Sequence, residues 1–202
     1  MFVTMVNAMA KIVESTENDG LLFRARADAV ALGQLYDLYY GRIFRFCVYR
    51  LFNKDTAEDV TSAIFLTVAQ SIRNFKGQSE KDFRGWLYAI AVNQTNAYIR
   101  KTSRRKQLLA KAADSIVSCR TNNPARSSEL DWPMLYAAIL KLKPKHQTIV
   151  TLRFFENMEF EEIGRIISAR PASVRVTLHR ILKQLRNYLQ TDTDGFIEKA
   201  TK

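Results

Sequence analysis

Apolar residues recur at intervals of three and four along most of this chain, and that spacing constrains the fold more than any other feature. Leu32, Leu35, Tyr36, Tyr39, Ile43, Phe46, Cys47 and Leu51 draw one stripe down a helix. Val60, Ile64, Val68 and Ile72 draw a second, and Phe83, Trp86, Leu87, Ile90 and Tyr98 a third. The pattern returns in Leu135, Ala138, Ile139 and Leu142, in Phe160, Ile163 and Ile167, and in Val174, Leu178, Ile181 and Leu185. Seven glycines and four prolines in 202 residues leave little material for the turns of a β-rich fold. The expected class is therefore all-α.

Start and stop signals divide the stripes into helices. Asp55 is expected to cap the second helix, with Glu58 reaching back from the third position, and that helix ends before Gly77. The third follows Ser79 or Asp82 and runs out into Arg100, Lys101, Arg104, Arg105 and Lys106. Asp131 and Pro133 supply a cap and a first-turn proline, and Pro144 restarts the chain. Asn157 suits a left-handed turn. A short helix then meets a tight turn over Ser168 to Pro171 and a long helix from Pro171 to about Leu189, which is the helix-turn-helix arrangement.

Between the two groups of helices, Ala112 to Ser128 collects serines, asparagines and Pro124 with few large apolar residues, the composition of a flexible linker. The expected organisation is two small helical domains on a tether. A tail covers 1–20, the first domain 21–106, the linker 107–130, the second domain 131–190 and a second tail 191–202.

Charge says what such domains meet. The chain carries 31 Lys and Arg against 20 Asp and Glu, a net of +11, which favours nucleic acid or an anionic membrane surface. The excess lies in the two domains, with 15 basic against 7 acidic residues in 21–106 and 10 against 5 in 131–190. It is spread over two compact domains and not along one amphipathic anchor, and every longer apolar stretch is interrupted, as at Arg42, Arg45 and Arg50. No membrane partner is expected. Cys47 and Cys119 have no second Cys or His at ligand spacing, so neither a disulfide framework nor a metal site is indicated, and a reducing cytoplasm fits. Met1 to Ala10 lacks the basic start and cleavage pattern of a signal peptide.

The last helix concentrates the sites. With Val174, Leu178, Ile181 and Leu185 inward, its other side presents Ser173, Arg175, Val176, His179, Arg180 and Lys183, with Thr177 beside them and no acid among them. A helix fits the DNA major groove, where an arginine near the helix start pairs with guanine through two hydrogen bonds. Arg175 and Arg180 are the best candidates. The run Arg100, Lys101, Arg104, Arg105, Lys106 is an electrostatic footprint for phosphates. The loop Phe75 to Glu80, with Lys76, Gly77, Gln78 and Ser79, has the small polar character that holds an extruded base, and Phe83, Trp86 and Tyr88 are aromatic residues of the helix beside it, with Phe83 and Trp86 expected to be mostly buried. No His-Glu-x-x-His, phosphate-cradling glycine loop or paired carboxylates beside a basic groove supports an enzyme acting on nucleic acid.

These residues resemble the extracytoplasmic-function (ECF, group 4) sigma factors of bacterial RNA polymerase, within the sigma-70 family. Asp55 to Thr61 with Ile64-Phe65-Leu66 is similar to the family's segment that grips the polymerase β′ subunit, and Phe83 to Asn93 to the helix joining its minus-ten reading surface. Leu142-Lys143-Pro144, Leu152-Arg153-Phe154, Phe160 to Gly164, and Val174-Arg175 with Leu178-His179-Arg180 are similar to its minus-thirty-five domain.

The resemblance implies that the first domain melts DNA and captures the minus-ten element, with Lys76, Gly77, Gln78, Ser79 and Asn93 at the captured base and Arg100, Lys101, Arg104 and Arg105 along the strand. It implies that Ser173, Arg175, Val176, Thr177, His179, Arg180 and Lys183 face minus-thirty-five DNA. Asp55, Glu58, Asp59, Thr61 and Phe65 would serve the polymerase core, whose β′ and β subunits are the implied partners beside promoter DNA. An anti-sigma protein is a further partner the resemblance admits, and no cofactor is implied. Three departures stand out: Ser62 and Ala63 where the family often has Gln and an acid, a loop after Phe75 about two residues longer, and Glu159 in place of a Ser or Thr cap. The competing reading is a stand-alone helix-turn-helix regulator, which leaves the motifs of the first domain without a use.

Overall fold

The structure, a computed structural model, describes residues 19–113 and 132–200, with side chains described over 19–104 and 135–189. The expected linker and the Asp131 cap lie outside the described residues, as do the side chains of Arg105 and Lys106. All regular structure among the described residues is helical. Helix α1 covers residues 19–25. Then come α2 (Ala29–Leu51), α3 (Lys54–Ser71) with a 3-10 turn over Ile72–Asn74, and α4 (Glu80–Ala113). They are succeeded by α5 (Trp132–Leu140), α6 (Pro144–Val150) running into a π turn over Thr151–Phe155, α7 (Phe160–Ile166) and α8 (Pro171–Ala200). The chain forms two compact units, one built mainly on residues up to Tyr98 and the other mainly on residues from Ile99 onward.

In the first unit, Asp28 sits in extended backbone and its carboxylate accepts the amides of Val30 at 3.0 Å and Ala31 at 3.2 Å, which starts α2. The helix stops where Phe52 turns left-handed at φ 55° and donates its N–H to the Val48 carbonyl. Its buried face is Ala31, Leu35, Tyr39, Ile43, Phe46 and Cys47, close to the expected stripe. The expected Val60, Ile64 and Val68 on α3 and Ile72 in the 3-10 turn after it are all buried. The cap is different: Asn53, not Asp55, accepts the first free amide, from Thr56 at 2.7 Å, and Asp55 falls inside the first turn.

Helix α4 buries Phe83, Leu87, Tyr88, Ala91, Val92 and Thr95. Tyr39 meets Phe83 edge to face at 5.3 Å and Phe46 meets Tyr88 at 5.5 Å, which joins α2 to α4. Trp86 and Ile90 are only half-buried and Tyr98 is exposed. The inward stripe follows the i, i+4 row from Phe83, which carries it away from Tyr98. Arg50, which breaks the apolar run in sequence, is 2 % exposed. Its Nη2 donates to Asn96 Oδ1 at 2.9 Å, and burial lowers its guanidinium to about 10.

In the second unit, α5 and α6 both pack on α8. The core is Ala138, Ile139, Leu142, Ile149, Leu152, Ile163 and the α8 row Val174, Leu178, Ile181, Leu185, as the spacing predicts. At the end of α7, Ile166 is buried and the expected Ile167 only half-buried. Gln147 Nε2 donates to the carbonyls of Leu142 at 2.9 Å and Leu140 at 3.3 Å, satisfying the open end of α5. Asn157 adopts the expected left-handed backbone at φ 51°. Helix α4 extends past the expected domain edge at 106 to Ala113, and α8 extends through the expected tail to Ala200.

Candidate nucleic-acid interface

The turn between α7 and α8 is shaped by four residues. Ser168 takes left-handed backbone at φ 52°, and the Ala169 amide donates to the Gly164 carbonyl at 2.8 Å. A Cβ on Gly164 would stand 2.6 Å from the Ala169 carbonyl oxygen, so the close approach requires glycine. Pro171 opens α8 at the position where a missing N–H costs nothing. At the start of α7, Glu159 has no hydroxyl to offer. Glu162 compensates by reaching back from the third helical position to accept the Glu159 amide at 3.0 Å.

This turn leaves one side of α8 free. Ser173, Arg175, Val176, His179, Arg180 and Lys183 are exposed and Thr177 is half-buried, while the next residues in the helical row are core. No acid occurs in α8 between Pro171 and Gln190. Arg175 is not loose: its guanidinium carbon lies 5.1 Å from the centre of the Phe160 ring. Arg153 lies 4.9 Å from the same ring, donates to the Met158 carbonyl at 2.8 Å and sits 3.7 Å from Glu159. Helical spacing counts Phe160 with the apolar stripe of its helix, but the half-buried ring meets Arg175, 15 positions further on, which spacing within one helix does not show.

In the first unit, the loop between the 3-10 turn and α4 is built as much as it is offered. Ser79 caps α4: its Oγ accepts the Asp82 amide at 3.2 Å and donates to Asp82 Oδ2 at 2.8 Å. These bonds hold the Asp82 carboxyl below its ordinary range, the Ser79 hydroxyl contributing most. A Cβ on Gly77 would run into the Phe75 ring and stand 2.7 Å from Asp82 Cβ, and the Gly77 carbonyl accepts a hydrogen bond from Arg26 Nη2. Gly77 and Ser79 therefore shape the loop, while Lys76 and Gln78 are its exposed side chains. Asn93 is exposed on α4, but 14 residues of helix separate it from Ser79, about 21 Å along the axis. Arg100, Lys101 and Arg104 are exposed further along.

Of the residues expected to face polymerase, Asp55, Glu58 and Asp59 are exposed on α3. Thr61 is fully buried, donating its hydroxyl to the Ala57 carbonyl at 2.6 Å. Phe65 is also buried, packed at 4.7 Å on Tyr36 and 6.2 Å on Tyr40. Both lie beneath the exposed side chains of α3. Leu66 beside them is 60 % exposed. Among the described residues no cluster of His, Cys, Asp and Glu could hold a metal, and no helix is long and apolar enough to cross a membrane.

Comparison with known proteins places these two units in one class. Residues 35–105 match the sigma-70 region 2 family and residues 133–185 match sigma-70 region 4. The ECF RNA polymerase sigma factor SigE of Mycolicibacterium smegmatis is 30% identical over 211 residues, covering 96% of this chain and 80% of the relative. The ECF RNA polymerase sigma factor BldN of Streptomyces coelicolor is 30% identical over 174 residues, 85% of this chain and 66% of the relative. SigW of Bacillus subtilis is 27% identical over 184 residues, 82% of this chain and 92% of the relative. Two solved structures share the fold. RpoE of Bartonella quintana, in complex with the anti-sigma factor NepR, aligns at TM-score 0.61 with 19% identity over 79% of this chain and 97% of its own. CnrH, in complex with the cytosolic domain of CnrY, aligns at 0.63 with 18% identity over 86% and 97%. The chain belongs to the ECF RNA polymerase sigma factors.

Proposed function

We propose that this chain carries core RNA polymerase to promoters with two elements and helps open them. Residues 131–190 would read the minus-thirty-five duplex, and residues 21–106 would melt and hold the minus-ten element. The observation that carries this reading is the exposed, acid-free side of α8, presented by a helix-turn-helix whose turn is dictated by Gly164, Ser168 and Pro171. A groove-sized helix with cations only on its free side suits phosphate contact and guanine readout together.

In the first domain, Lys76 and Gln78 would meet the captured base. Asn93 would stand further along α4, with Arg100, Lys101 and Arg104 tracking the strand beyond it. Gly77 and Ser79 would act through the loop's shape. Asp55, Glu58 and Asp59 with Leu66 would dock on the β′ subunit. No bond is made or broken by the chain in this role, no cofactor enters it, and it would work where polymerase works, inside the cell and away from the membrane. An anti-sigma protein is included among its partners because RpoE, which shares the fold, was solved with the anti-sigma factor NepR.

The test is transcription in vitro with purified core polymerase on a promoter library, with sequencing of transcript starts. Starts that share two upstream elements, and appear only when the protein is added, are expected. Selective duplex binding without polymerase binding would replace this reading with the stand-alone regulator.

A further inference from the structure

The segment ahead of the matched sigma-70 region makes contacts the function above does not use. Leu22 and Ala25 anchor α1 in the first unit at 2 % and 3 % exposure. Arg26 comes at the end of α1, where the amides of Ala27 and Asp28 both return to the Arg24 carbonyl and Asp28 at once caps α2. Arg26 is thus held between two helix ends. From there its Nη2 donates to the Gly77 carbonyl, and its guanidinium carbon lies 5.5 Å from the centre of the Phe75 ring and 5.7 Å from that of Phe23. Phe75 packs in turn on Trp86 at 4.9 Å and Phe83 at 5.8 Å. At the other end of the loop, Asp19 accepts the Glu80 amide at 2.5 Å, and Glu80 accepts the Tyr39 hydroxyl at 3.0 Å.

We propose that residues 19–28 form a brace that presets the 75–79 loop for an unpaired base, with Arg26 as its positioning residue; this rests on the reading of that loop as the place of base capture. A loop ordered before binding loses less entropy when the base enters. The brace leaves Lys76 and Gln78 exposed while it holds the backbone between them at the Gly77 carbonyl and stacks on Phe75. A cation stacked on a ring and bonded to a carbonyl in one loop fixes both the height and the rotation of that loop, which neither contact does alone.

The experiment uses the full chain and fluorescent single-stranded oligonucleotides carrying the selected minus-ten sequence with each base varied in turn. Arg26→Ala is expected to lose about tenfold in affinity for the preferred oligonucleotide and to flatten discrimination at the captured base, with core-polymerase binding unchanged. Arg26→Lys, which keeps a donor and a cation, is expected to recover part of the discrimination. Asp19→Ala, which leaves the guanidinium and ring stack intact, is expected to show a smaller loss of the same kind and serves if Arg26→Ala does not fold. Folded Arg26→Ala that discriminates like the parent, while a Lys76→Ala, Gln78→Ala double variant loses discrimination, overturns the brace and leaves the loop reading standing. Retained discrimination in both the Arg26 and the loop variants overturns both.

Discussion

Gly164 shows how much one residue decides. Its missing Cβ lets the Ala169 carbonyl come within 2.6 Å of where that carbon would be, and the turn that aims α8 depends on that approach. Gly164→Ala is expected to cost about 1 to 3 kcal/mol by overpacking against backbone that cannot yield, read as a lower urea midpoint, and to weaken duplex binding through the displaced helix. Cys47 is the opposite case, a residue with no access. It is fully buried, and burial pushes its thiol up to about 11 against the lowering effects of the Thr61 hydroxyl and Arg50. The folded protein is therefore expected to leave Cys47 unlabelled by iodoacetamide at pH 8, and to label it only in urea. Labelling of native Cys47 at a normal rate would contradict the packing of α2.

At the scale of elements, most of the helices were legible because burial obeys the helical period. All four α8 core residues, and Val60, Ile64 and Val68 on α3 with Ile72 just beyond it, stand where the spacing puts them. Caps were less legible, since Asn53 and Asp55 are both good caps in sequence and only the backbone chooses. Asn53→Ala is expected to cost about 1 kcal/mol and Asp55→Ala a few tenths at most, measured by thermal or urea unfolding. On α8, Arg175→Ala is expected to lose roughly 1 to 3 kcal/mol at one or two minus-thirty-five positions. Equal losses on every sequence would show that Arg175 serves phosphate only. The contacts that hold these elements in working order, Arg153 and Arg175 on Phe160 or Arg26 on Phe75, were not legible. They join residues far apart in sequence, and periodicity reports only on one helix at a time.

For the whole molecule, a net charge of +11, with the excess in the two domains, makes salt the controlling variable. Neutralising Arg100 and Arg104 together is expected to weaken promoter binding across sequences and to make the salt dependence shallower by about one unit of slope for each phosphate no longer neutralised. Titrations of binding against potassium chloride would check it; a sequence-selective loss would instead assign these residues to base contact.

The sequence by itself determined the helical class, the division into two basic domains, the helix-turn-helix and its acid-free helix face, because each depends on spacing, composition and turn chemistry within a few tens of residues. Tertiary structure alone decided which candidates are surface and which are support. Thr61, Phe65, Gly77 and Ser79 all belong to candidate motifs, yet two are buried and two shape their loop. It also decided that Arg50 is buried and Arg26 half-buried, although arginine is ordinarily a surface residue. The physical reason is that burial and reach depend on what another part of the chain places opposite a residue, and the residue's own neighbours in sequence do not carry that.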